Sequence, residues 1–184
     1  DPTVASGAQV ETDFIRLSNN QPVPEAPEWL FDVNGNTEGW AARKHLSGFG
    51  AINGSLTMQI SGVDPYFASP TGQEIDADVY KTVEISMAVT GSPQESFPSL
   101  QNARLQLFWA REGEAFHSER MKLIPITADG TFNTYEVDLS SLQSWSGKIK
   151  IFRIDPLARV PEFEGEGLAP DASIQVDVDY IRVR

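Results

Sequence analysis

From Trp29 onward, apolar and polar positions alternate with a period of two. The clearest run is "TVEISMAV", residues 82–89, where Val83, Ile85, Met87 and Val89 oppose Glu84, Ser86 and Ala88. "SLTMQI" sets Leu56, Met58 and Ile60 against Thr57 and Gln59, and "GKIKIFRI" alternates Ile149 and Ile151 with Lys148 and Lys150. "ARLQLFWA" puts Leu105, Leu107 and Trp109 on one face, Gln106 and Phe108 on the other. Successive side chains of a strand point to opposite faces, so each run predicts a strand with one buried side. "EWLFDV", "GWAARKH", "NTYEVDL" and "ASIQVDVDYIRVR" add further strands. "MKLIPI" reads as an edge strand, because Pro125 has no N–H for a ladder.

The last run carries an irregularity. Ile174, Val176, Val178 and Tyr180 share one parity, Ile181 and Val183 the other. A bulge near Asp179 reconciles them, and so does a strand apolar on both faces. Asn34-Gly35-Asn36 and Asp129-Gly130 are turn signals. No stretch keeps a helical period, although "SSLQSW" allows one short helical turn. Roughly nine or ten short strands with turns between them predict an all-β fold, an antiparallel β-sandwich. There is no internal repeat.

The stretch "GVDPYFASP" follows a strand with Asp-Pro and two aromatic residues. Asp64-Pro65 stops that strand. Tyr66 and Phe67 are adjacent and cannot both point into the core, so one ring seals the end of the sandwich and the other lies nearer solvent. Asp155-Pro156 repeats the device after "IFRI", which makes Arg153 a partner for a nearby carboxylate.

Composition narrows the picture. The 184 residues suit one domain, with the β region at 28–184. Residues 1–27 differ: "NNQPVPEAPEW" is rich in proline, as in a semi-rigid linker or an ordered N-terminal wrap. Asp1-Pro2-Thr3 does not start a signal peptide, so a removed leader or an excised fragment is expected. No run is long and apolar enough for a membrane helix. Cysteine is absent, which excludes a disulfide scaffold and a thiolate metal site and fits an exported bacterial protein. The net charge of −12 makes nucleic acid a poor partner and disfavours sulfated or uronate-rich glycans.

Catalytic signatures are sparse. His45 and His117 have no second histidine at metal-ligand spacing. Neither a nucleophile elbow nor a phosphate-cradling loop occurs. Glu112, Glu114 and Glu119 are the candidate carboxylates for glycosidic chemistry, against the plain reading of a solvated acidic loop.

Binding chemistry is better represented, with four Trp, four Tyr and ten Phe. Sugars stack C–H patches on flat aromatic faces and need polar side chains for their hydroxyls. "FWAREGEAFHSER" supplies Phe108, Trp109, Arg111 and His117 in that combination. Trp109 shares parity with Leu105 and Leu107, which argues for the core and leaves Phe108 as the outward ring. Trp40 and Trp145 read as loop-edge residues or core plugs, and Tyr66 as a rim residue.

The order "EGW", "DPYFASP", "LFWA", "FHSERMKLIPI", "TYEVDL", "WSGKIKIFRIDP" and "VDVDYIRV" resembles the jelly-roll carbohydrate-binding modules, over about residues 29 to 184. These have a galactose-binding-domain-like β-sandwich and are attached to secreted bacterial polysaccharide-degrading enzymes. The resemblance implies a non-catalytic module on a secreted or cell-surface protein, tethering its enzyme to polysaccharide. Trp40, Tyr66, Phe108, Trp109, Arg111, His117 and Trp145 become the candidate carbohydrate contacts. It also implies a structural calcium ion between an early and the final strand, at Asp32 and Asp179. Two other readings compete: a structural or docking sandwich without a sugar site, and a small all-β polysaccharide lyase or hydrolase.

Overall fold

A computed structural model describes residues 25–62, 64–91, 103–158 and 174–184. The linker or wrap expected at residues 1–27 lies outside these up to residue 24. The strands are β1 (Glu28–Trp29), β2 (Ala41–Lys44), β3 (Leu46–Ile52), β4 (Ser55–Ile60), β5 (Tyr66–Ala68), β6 (Ile75–Asp76) and β7 (Thr82–Thr90). They continue with β8 (Arg104–Ala110), β9 (Met121–Pro125), β10 (Asn133–Asp138), β11 (Lys148–Ile149), β12 (Ile151–Asp155) and β13 (Gln175–Val183). One turn of 3-10 helix, Ser118–Arg120, precedes β9.

One sheet runs β10-β7-β13-β4-β3, with β1 added beside β13; the other runs β2-β5-β12-β8-β9. All pairs are antiparallel, and β6 and β11 make a small extra ladder. The chain passes from sheet to sheet as it proceeds, giving an antiparallel β-sandwich of jelly-roll type. Both sheets turn their apolar parity inward. Val83, Ile85, Met87 and Val89 of β7 meet Leu105, Leu107 and Trp109 of β8 in one continuous core.

β13 shows how pattern becomes structure. Its register slips between Val178 and Tyr180, so the bulge sits at Asp179. Before the bulge Val176 and Val178 are buried; after it Ile181 and Val183 are. The slip also divides the edge opposite β7, with Val178 and earlier residues pairing with β4, and Ile181 and Arg182 with β1. β9 lies at the edge of its sheet and ends on Pro125, as a strand lacking an N–H must.

Three local expectations change. β3 is a strand that the pattern does not announce, because Gly48 and Gly50 dilute its alternation and its register slips between Ser47 and Gly50. "GKIKIFRI" is two strands rather than one. Ile149 is buried and Ile151 only half so, because the chain changes ladders at Lys150 and Phe152 takes the inward position. "SSLQSW" forms two successive hydrogen-bonded turns, Leu142 N to Leu139 O and Trp145 N to Leu142 O, instead of a helix. No helix among the described residues is long and apolar enough to cross a membrane.

Candidate functional site

Every tryptophan is interior. Trp29, Trp40, Trp109 and Trp145 are 6, 2, 0 and 4% exposed. Trp29 meets Trp40 edge-on at 5.3 Å, Trp109 meets Trp145 edge-on at 5.4 Å, and Trp145 stacks on Phe152 at 6.2 Å. The Trp109 indole donates to Ser144 O and that of Trp145 to Tyr80 O. Trp40, Trp109 and Trp145 are therefore corrected as contact candidates. A ring enclosed by the core has no face for a sugar, and these rings hold the two sheets together.

The rings left at the surface are others. Arg153 of β12 pairs with Ala68 of β5 on one side and Phe108 of β8 on the other, and Phe108 pairs with Met121 of β9. Directly paired residues share a face, so this row points away from the core. The next row outward-facing includes Tyr66, Asp155, Gln106 and Leu123. Phe67 is fully buried while its neighbour Tyr66 is half-buried, the division expected from the sequence.

Arg153 sits at the centre. Its guanidinium lies 3.8 Å from the Tyr66 ring centre and 4.9 Å from that of Phe108. Phe108 in turn meets Phe116 at 6.4 Å, edge to face. Tyr66, Arg153, Phe108 and Phe116 thus form a strip across β5, β12, β8 and the loop after β8. Arg153 Nε and Nη2 each donate to Asp155 at 2.6 Å, and Nη2 also donates to Asp64 Oδ1 at 3.2 Å. Asp155 is only 3% exposed, so this fork is anchored in the protein rather than in water.

Asp64 is fixed from three sides. It accepts from Lys44 Nζ at 2.6 Å, and its own N–H donates to His45 Nδ1 at 3.1 Å. His45 holds a left-handed backbone, φ 50°, at the bend between β2 and β3. Gly62 packs so closely on that imidazole that it has no room for a Cβ. Burial works to raise the Asp64 carboxyl, but the hydrogen bond and charge of Lys44, then Arg153 and His45, hold it below the usual carboxylate range. Burial likewise opposes the Arg153 charge, and the hydrogen bonds and charge of Asp155 overcome it, raising its pKa. The cluster pairs two cations, Lys44 and Arg153, with two anions, Asp64 and Asp155, and carries no net formal charge.

The remaining candidates lie at the margins. Arg111 is a clasp: its Nε donates to both Glu114 oxygens at 3.1 and 3.2 Å, and Nη1 donates to Ser146 Oγ at 3.1 Å. His117 follows Phe116, caps the 3-10 turn and accepts from Glu119 N–H. The Glu114 carboxyl is lowered by its hydrogen bonds from Arg111, and Arg120 lies 3.4 Å away. Glu112 faces Lys150 at 3.9 Å and Glu119 faces His117 at 3.8 Å. Among the described residues, each of these three carboxylates has a basic group within 4 Å.

Calcium seeks about six to eight oxygens. Asp32 is exposed, and Asp179 accepts from Ser86 Oγ at 3.2 Å. Among the described residues no three His, Asp or Glu side chains converge on a common point. Glu28 of β1 pairs with Arg182 of β13 at 2.8 Å and with Arg184, just after it, at 3.5 Å. Asp32 and Asp179 do not make a calcium site by their side chains alone.

No protein-family model matches this chain, and no curated protein matches it. Among solved structures, it is similar in fold to the low-affinity xylan-binding module CBM86 from the gut symbiont Roseburia intestinalis. That likeness has a TM-score of 0.50 at 8% identity, over 86% of this chain and 94% of the other. The CBM22-1 xylan-binding domain from Paenibacillus barcinonensis matches at TM-score 0.43 and 15% identity, over 86% and 92%. CsCBM6-3 from Clostridium stercorarium, in complex with cellobiose, matches at 0.44 and 13%, over 82% and 92%. At these identities the likeness to the CBM86 module speaks for the β-sandwich fold and no further.

Proposed function

We propose that this chain is a non-catalytic module that binds polysaccharide on the outward face of the sheet β2-β5-β12-β8-β9. The observation that carries the reading is the strip of half-buried rings, Tyr66, Phe108 and Phe116, on either side of a fixed Arg153. Half-exposed rings cost free energy in water and gain it under a sugar's C–H surface, while polar neighbours meet the hydroxyls. A non-cleaving module of this kind raises the local concentration of an attached glycan-degrading enzyme on its substrate. A polysaccharide ligand makes a secreted or cell-surface setting part of this proposal.

Affinity gel electrophoresis in xylan, β-glucan and mannan, with reducing ends assayed in parallel, tests this. The expected result is retardation in at least one gel, lost in Phe108→Ala, with no new reducing ends. Free migration in all three, retardation indifferent to Phe108→Ala, or released reducing ends would overturn it. Calcium is a subsidiary proposal: Asp32 and Asp179 would hold it only with backbone carbonyls and water completing the shell. A melting temperature that rises with calcium and falls back in Asp179→Asn supports it; indifference to both removes it. The sugar face does not depend on it.

A further inference from the structure

Among the described residues, Arg153 is the one whose shape, fixation and remaining donors suit it to select the ligand. Its Nε and Nη2 are committed to Asp155 and Asp64, while Nη1 has no partner among the described residues. Two aromatic rings flank its plane, and the Asp155 that anchors it is buried. A guanidinium so held loses little rotamer freedom on meeting a ligand. Its free edge presents N–H donors and no acceptor.

We infer that Arg153 is the specificity-determining residue of this face, donating from Nη1 to hydroxyl or ring oxygens of a neutral glycan stacked beside it on Phe108. The inference rests on the binding reading above. Charge gives the class of ligand. Asp64 and Asp155 already balance Lys44 and Arg153, so the cluster around Arg153 offers a uronate no unpaired cation. A carboxylated sugar would meet those two carboxylates and a chain of net charge −12. Asp155 and Asp64 are positioning residues, which aim the fork and cancel its charge.

The test uses the intact chain in gels of neutral β-glucan, mannan, xylan and polygalacturonate. Wild-type retention is expected in a neutral gel, unchanged from about 0.05 M to about 0.5 M NaCl, and absent in polygalacturonate. Arg153→Lys keeps the charge but loses the planar fork, and is expected to lower the melting temperature while leaving the chain folded at the assay temperature, and to weaken retention about tenfold. Asp155→Asn is expected to weaken it less and to introduce salt dependence. Retention in Arg153→Lys equal to wild type, with Phe108→Ala impaired, overturns this inference and leaves the binding face standing. If neither variant matters, or the wild type is not retained, both readings fall. If Arg153→Lys does not fold, the wild type decides: retention in polygalacturonate, or retention that decays with salt, overturns the inference.

Discussion

Both outward faces of the sandwich lay an arginine over a tyrosine. Arg153 lies 3.8 Å from the Tyr66 ring centre on one sheet, and Arg182 lies 3.9 Å from that of Tyr180 on the other. What surrounds the pair differs. The Tyr180 hydroxyl is bonded to Thr134 Oγ1 at 3.2 Å, and Arg182 is paired to Glu28. Along the same sheet Thr57 donates to Asp177 at 2.7 Å, Gln175 donates to Asp177, and Ser86 donates to Asp179. That face is laced to itself. On the Arg153 face the pair continues into Phe108 and Phe116, apolar rings with no hydrogen bonds to make. An arginine on a tyrosine is thus a packing device in one setting and the edge of an apolar strip in the other. The neighbours, not the motif, separate the two.

The sharpest break of this contrast lies within one strand. Trp109 and Phe108 are adjacent in β8 but face opposite ways. Trp109→Ala is expected to cost about 3–5 kcal/mol in urea unfolding and, for a domain of this size, to leave little fold at all. Phe108→Ala is expected to leave the unfolding midpoint near wild type and to reduce polysaccharide retention about tenfold or more. The reverse pattern would place the recognition surface elsewhere.

Between the faces, Tyr180→Ala is the matched control for Phe108→Ala. It removes the Thr134 bond and the Arg182 contact, at an expected cost of about 1 kcal/mol in stability, with retention unchanged. A drop in retention equal to that of Phe108→Ala would make the faces equivalent.

The smallest effect concerns acid. Asp64 has its carboxyl pKa lowered in the folded chain. Its contribution is complete above the pKa of the unfolded chain and is lost as pH falls through the lower folded value. From Asp64 alone, melting temperature should hold steady from neutral pH into mild acid and decline only below the ordinary carboxylate range, while Asp155, whose carboxyl is raised by burial, acts in the opposite sense. Lys44→Ala removes the strongest attraction on Asp64 and should flatten that decline. The side chain of Asp64 is 31% exposed, so solvent screening keeps the effect modest. An unchanged acid limb in Lys44→Ala would show that the pair adds nothing to the loop.

Period-two alternation made most of this fold legible, because one wet and one dry face is what each strand needs. It announced β7 and the parity break at Asp179, and Pro125 marked an edge. It also divided Tyr66 from Phe67 and Phe108 from Trp109. Glycine concealed β3, since residues without side chains carry no parity. The change of ladder at Lys150 was hidden because Ile149 and Ile151 continue the alternation while the chain moves to another partner. The site was legible only in parts. Arg153 was expected to find a carboxylate, but its contact to Asp64 joins residues 89 apart, and no local spacing encodes that. The tryptophans drew attention as the largest flat rings. The same area makes them the most useful core residues, and their indole N–H groups at positions 109 and 145 found backbone partners inside.

The most direct measurement is a backbone amide titration by nuclear magnetic resonance, adding a neutral β-linked hexasaccharide to the labelled chain. Saturable shifts are expected on β5, β8 and β12, around Tyr66, Phe108 and Arg153, with the amides near Asp177 and Tyr180 unmoved. Shifts centred on β13 and β4, or no shifts with any of the xylan, glucan and mannan oligomers, would contradict that expectation.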